Sequence, residues 1–235
     1  MVKEELIQRS PVRIFEKSIH GGLKAGEIGI IVSQAGIGKT SMLVQLALDK
    51  LLQGKKVIHV SFTQHTHYVL AWYEDIFDEL FIGKKLDNAS DVKDEIVKNR
   101  VLMNFNQDVM SKEQILKSLR AMIKEGGFAA ESIIVDGFDF SRAGREQIAN
   151  VKTFAKELGL SVWYSCTVKE NGQLQYDADK MPLALKDYAD LADIVIVLEP
   201  KPDHIELYVS KDRDAHGIET HAMRLDPKTL LISEE

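Results

Sequence analysis

At 235 residues and 45% hydrophobic content, the chain is long enough to bury a substantial core as one large α/β domain spanning 1–235. Lys and Arg total 30 against 36 Asp and Glu, a formal charge of −6, and no basic tail offers an electrostatic footprint for nucleic acid. The lone Cys166 excludes an internal disulfide, residues 1–10 lack the apolar stretch of a signal peptide, and no run approaches the ~18 apolar residues of a spanning helix, so a cytoplasmic protein without membrane contact is expected.

Residues 1–14 read as an N-terminal lead-in, and Gly21, Gly22 and Gly26 make the stretch before residue 28 rich in turns. Ile28, Gly29, Ile30, Ile31 and Val32 then fit a buried parallel strand, Gln34-Ala35-Gly36-Ile37-Gly38 a tight turn, and Lys39-Thr40-Ser41 the opening of a helix with apolar residues at helical spacing. That succession is a phosphate-binding loop. Gly36 and Gly38 allow successive N–H groups to point inward, and the helix start adds the positive end of its dipole. Lys39 is placed to reach the β- and γ-phosphates of ATP, and the Thr40 hydroxyl to hold Mg²⁺. Ser33 stands where the full pattern has its first glycine.

After Gly54, residues 57–62 read as a second buried strand, followed by Thr63 and Gln64. Residues 65–81 place Val69, Trp72, Tyr73, Ile76, Phe77 and Leu80 at helical periodicity, with His65 and His67 as polar loop residues rather than metal ligands. Residues 81–99 form a charged surface connection with room for a short helix, 101–105 a strand, and 112–125 a helix. Ile133-Ile134-Val135-Asp136 is an apolar strand ending in an aspartate downstream of the phosphate loop, which places Asp136 beside Thr40 in the Mg²⁺ shell. Asp139, three residues on, reads as a solvated loop carboxylate. A helix over 146–158 and a strand over 160–165 follow, with Cys166 as a small buried hydrophobe. Farther on, a short helix leads to a strand ending at Leu198, a Pro200-Lys201-Pro202-Asp203 turn suits a hairpin, and residues 206–213 carry Lys211 and Arg213 at their end. Strands over 220–225 and 230–233, around a turn at Asp226-Pro227-Lys228, close the chain.

The Gly-Gly-Leu-x-x-Gly-Glu lead-in at 21–27, the phosphate loop, the Asp136 strand and the Lys211-x-Arg213 hairpin together resemble the RecA-like P-loop superfamily, above all its KaiC-like and DnaB-helicase-like branches. The resemblance runs from about Phe15 to the C-terminus and implies a mostly parallel sheet flanked by helices, with a C-terminal antiparallel hairpin. It implies roles for five further residues. Trp72 would pack on the adenine, though an aromatic on an amphipathic helix is also ordinary core. Thr167, after its strand, would sense the γ-phosphate. Lys211 and Arg213 would reach into a neighbouring subunit's ATP, the alternative being two solvated cations at a strand end. Gln64, with Thr63, stands where the family carries the glutamate that polarises the attacking water. Neither accepts a proton at neutral pH, although Gln64 can orient a water by hydrogen bonding.

The family's two channel loops correspond to residues 137–145 and 168–182, where Arg142, Arg145, Lys169 and Lys180 face Asp139, Glu170, Asp177 and Asp179, too neutral a balance for a nucleic-acid funnel. No internal repeat appears, so a single RecA-like core is expected, without a second ring or a helicase N-terminal domain. The reading that follows is an ATP-binding regulatory or assembly protein with slow hydrolysis, forming a ring or filament of its own copies or meeting a protein partner. The alternatives are a DNA-dependent ATPase motor and a KaiC-like kinase acting on itself or a partner.

Overall fold

The computed structural model describes Ile7 and residues 10–81, 89–168 and 174–234. Most of 1–9, residues 82–88 and the loop cations and acids Lys169 and Glu170 lie outside the described residues. In chain order the elements are α1 (Pro11–Ser18), β1 (Ile28–Gln34), α2 (Lys39–Leu52), β2 (Val57–Ser61), α3 (Thr66–Phe81), α4 (Ala89–Lys98), β3 (Arg100–Asn104), α5 (Lys112–Arg120), β4 (Ser132–Asp136), α6 (Arg145–Leu158), β5 (Ser161–Val168), β6 (Ile194–Pro200), β7 (Ile205–Asp212), β8 (Ala215–Leu225) and β9 (Ile232–Glu234).

Among the described residues, nine strands join one sheet in the order β3-β2-β4-β5-β1-β6-β7-β8-β9. The first six run parallel, and β7, β8 and β9 continue as an antiparallel extension. The parallel part follows from sequence: strands buried on both faces read as near-continuous apolar runs, and helices must cover those faces. Along β1 the alternation divides the core in two. Ile31 points to the side of α1, α2 and α3, while Ile30 and Val32 point to the side of α5 and α6. Each fully buried side chain of this size contributes roughly 1.5–3 kcal/mol against conformational entropy. Among the described residues, no helix is long and apolar enough to cross a membrane.

Two departures from the sequence expectation bear on the site. Residues 11–18 are a helix, which begins inside the lead-in read over 1–14; Phe15 is fully buried and lies 6.1 Å from the Trp163 ring. Trp163 in turn crosses β1 at Gly29, where a Cβ would fall 2.3 Å from the ring, so glycine is the residue that admits it. The C-terminal strands are also displaced. β8 begins at Ala215, directly after β7, and Leu230 belongs to the turn before β9 with φ 56°.

Because β1, β2, β4 and β5 are parallel, Gln34, Ser61, Asp136 and Val168 all finish at one edge of the sheet. Ligands of open α/β sheets bind at such an edge, outside the carboxyl ends of the strands.

Candidate functional site

The turn after β1 is held by Gly36 at φ 78° and Gly38 at φ 98°, both in the left-handed region that glycine adopts without crowding. α2 begins at the next residue. The Lys39 ammonium folds back over the turn, donating to the Gln34 carbonyl at 2.6 Å, the Ser33 hydroxyl at 3.0 Å and the Ser33 carbonyl at 3.3 Å. Ser33, the departure from the glycine pattern, therefore helps to seat the lysine. Burial pushes the Lys39 pKa down to about 8, with attraction to Asp136 opposing that fall. A desolvated cation whose charge is only partly offset favours an anion beside it.

Asp136 ends β4 almost wholly buried and both carboxylate oxygens are bound. Thr40 Oγ1 donates to Oδ2 at 2.8 Å and Ser165 Oγ donates to Oδ1 at 2.6 Å, while the Gly137 N–H donates to Ser165 Oγ at 2.8 Å. The pair Thr40–Asp136 thus links the helix start after β1 to the end of β4. Among the described residues no group of three or more His, Cys, Asp or Glu gathers as a metal cluster. A hydroxyl and one carboxylate suit Mg²⁺, which keeps several waters and is completed by substrate phosphates rather than by an all-protein cage.

Around these groups lies a cavity of about 500 Å³, within the range of small-molecule sites. Its lining brings together Ala35, Gly36, Gly38, Lys39, Thr40, Ser41, Gln64, Trp72, Asp136 and Thr167 from the sequence reading. Gln34 contributes through its carbonyl to Lys39, and Ile37 packs half-buried against the core. Trp72 lines the cavity and packs half-buried against the core; its neighbour Tyr73 is wholly core. Thr63 lies against Gly137, where a Cβ would stand 2.3 Å from Thr63 Oγ1. The backbone beyond it is pinned: Gln64 N–H donates to Ser61 Oγ at 3.0 Å, and Asn104 Nδ2 donates to the Gln64 carbonyl at 2.6 Å. His65 and His67 stack on each other with centroids 5.9 Å apart.

The two hairpin cations are bound within their own chain. Lys211 is buried and donates to the Ala189 and Ala192 carbonyls at 2.6 and 2.7 Å. Arg213 grips Glu27 through two bonds of 2.9 Å, and also donates to Asp212 at 2.5 Å and to the Gly22 carbonyl at 2.8 Å. Neither is a free cation at a strand end. Both fasten the hairpin to their own chain, because leaving a half-buried charge unpaired costs several kcal/mol.

Asp139 is likewise more than a solvated loop carboxylate. It lines the cavity and accepts from the Ser141 N–H and hydroxyl at 2.9 and 2.6 Å, while Gln107 brackets its backbone from the loop after β3. Arg142 pairs with Asp108 and Arg145 with Asp190. Four lining residues escaped sequence reasoning, among them Gly137, which turns the chain after Asp136. Ser165 had a weak signal, a serine inside an apolar strand; Phe138 and Leu230 had none.

No family model matches the chain, and no curated protein matches it.

Proposed function

We propose that this protein binds ATP with Mg²⁺ in the cavity at the carboxyl edge of the parallel sheet, turns it over slowly, and acts as a nucleotide-dependent regulatory or assembly protein of RecA-like type. The observation that carries the reading is the convergence of Lys39 and the Thr40–Asp136 pair on a glycine turn at that edge. When bound, the metal neutralises phosphate charge. Lys39 would turn from its own loop carbonyls to the phosphate oxygens, exchanging neutral acceptors for charged ones of roughly twice the strength. Asp136, kept buried and oriented by Ser165, holds the Thr40 hydroxyl in place.

Slow turnover follows from the residues beside the phosphates. Thr63 and Gln64 can donate and accept hydrogen bonds to orient a water, but neither takes its proton, and general-base help is worth ~10²–10⁴-fold. A DNA motor is the less favoured reading. Arg142, in the loop after β4, and Arg145, at the start of α6, are each paired with an aspartate of their own chain, which offsets the charge they offer a phosphate backbone. Assembly, in this reading, depends on nucleotide and on surfaces other than Lys211 and Arg213.

Isothermal titration with ATP-Mg²⁺ tests the core of the proposal. Wild type should bind, and Lys39→Ala should bind about a hundredfold more weakly, the worth of a charge-assisted contact to phosphate. Equal affinities would overturn it. Turnover measured with and without single-stranded DNA separates the classes, since stimulation by DNA would favour the motor, and light scattering with and without ATP-Mg²⁺ reads assembly.

A further inference from the structure

A second, smaller cavity of about 40 Å³ lies between α5 and α6 on the opposite face of the sheet from α2. Ile115 and Leu119 of α5, Val151 and Phe154 of α6, and Ile133 and Val162 of the strands beneath make most of its wall. At roughly 10–15 Å³ for each water-sized guest atom, it has room for a chain of about three or four carbons. Apolar walls offer water few hydrogen bonds, so an apolar guest is favoured there. Phe138 lines this cavity and the larger one at the carboxyl edge, so the two are neighbours.

Three polar side chains, Lys112, Gln147 and Tyr164, complete the lining. Lys112 opens α5 and Gln147 belongs to the first turn of α6, so the positive ends of both helix dipoles lie beside the cavity. Both side chains are half-exposed, and neither makes a hydrogen bond or ion pair among the described residues. Tyr164 is 3% exposed, and its hydroxyl likewise has no hydrogen-bond partner among the described residues. All three can donate, and a buried donor left without an acceptor is costly. No carboxylate balances them: among the described residues Lys112 is the one charged group in the lining, and the first-turn acids Glu113 and Glu146 are exposed and lie outside it. An apolar hollow whose charged group is an unpaired ammonium suits a small molecule with an apolar body and a negative head.

We propose that this cavity binds a short-chain carboxylic acid of about three to five carbons, its alkyl chain among Ile115, Leu119 and Val151 and its carboxylate accepting from the Lys112 ammonium and the Gln147 amide. The length follows from the volume, since the chain must end where the cavity does. This site stands apart from the nucleotide reading and does not depend on it.

The test is an NMR titration of the full chain, labelled at its methyl groups, with acetate, propionate, butyrate, hexanoate and uncharged 1-butanol at constant ionic strength. Shifts should be confined to the methyls around Ile115, Leu119 and Val151. Affinity should rise about fourfold with each methylene from acetate to butyrate and no further to hexanoate, whose chain exceeds the cavity. Lys112→Gln changes a half-exposed position at a helix start, so the fold is spared, which a thermal melt verifies. It should weaken butyrate about tenfold and leave 1-butanol within about twofold. Equal butyrate affinity in wild type and Lys112→Gln would overturn the proposal, as would affinity that keeps climbing to hexanoate, the mark of an unbounded apolar surface. So would the absence of any saturable shift at these methyls in wild type.

Discussion

His59 gives the fold a built-in sensitivity to acid whose size can be worked from the structure. It lies in β2, two residue pairs below the Ser61–Asp136 level of the site, and is almost wholly buried. Its Nδ1 meets the Tyr73 hydroxyl at 3.1 Å, while Nε2 has no hydrogen-bond partner among the described residues. A proton on the free nitrogen would place a charge, and a donor without an acceptor, inside the core. Burial therefore lowers the pKa from 6.5 to about 4, with Asp136 pulling it up and Arg100, stacked over Tyr73, pushing it down. The folded value lies below the unfolded one, so the unfolded chain binds more protons between them, and stability present above about pH 6.5 is lost as pH falls toward 4. The full gap corresponds to about 3 kcal/mol, of which about 2 kcal/mol is lost between about pH 7 and pH 4.5. Urea unfolding at those two pH values, on wild type and on His59→Leu, isolates this contribution from that of the carboxylates. The variant pays for an unpartnered Tyr73 hydroxyl at every pH, but its loss on acidification should be smaller than wild type by about 2 kcal/mol. Equal losses in the two proteins would refute the argument.

Two further outcomes follow from the site. Thr63→Glu sets a carboxylate beside Gly137 and Asp136, and in a coupled phosphate-release assay ATP turnover should rise by ~10²-fold or more. An unchanged rate with ATP binding intact would show that a missing base is not what limits the reaction. Arg213→Ala leaves Glu27 and Asp212 without their guanidinium, so calorimetry should show a loss of about 2 kcal/mol in stability, with ATP turnover per folded molecule unchanged. Lost turnover at unchanged stability would restore a role at the nucleotide for this cation.

Much of the site was legible because its signals are local. A strand, a glycine turn and a helix start are set by neighbours in sequence, and the buried strand that ends in Asp136 shows itself by apolar continuity alone. The same locality explains the partial reading of 11–18. Val12 and Phe15 lie at helical spacing, but eight residues make too short a helix to assert itself without the sheet it packs on. Charges were the least legible feature. Lys211-x-Arg213 looks the same whether its cations reach outward or fasten the hairpin, since the partner Glu27 lies 186 residues away and becomes a neighbour only when β6 pairs with β1 and β7 with β6.

The sequence by itself determined the α/β class, the glycine turn before α2 and the aspartate that faces it, because backbone periodicity and glycine conformation are properties of short stretches. Only the tertiary structure decided which side chains complete the cavity. Ser165 reaches Asp136 through the pairing of β4 with β5, and Leu230 reaches Gly38 because Ser41 and Gln45 bind its carbonyl across 189 and 185 residues. Contacts of that range depend on strand order and turn geometry, which emerge when the whole sheet closes its hydrogen bonds and buries its two faces.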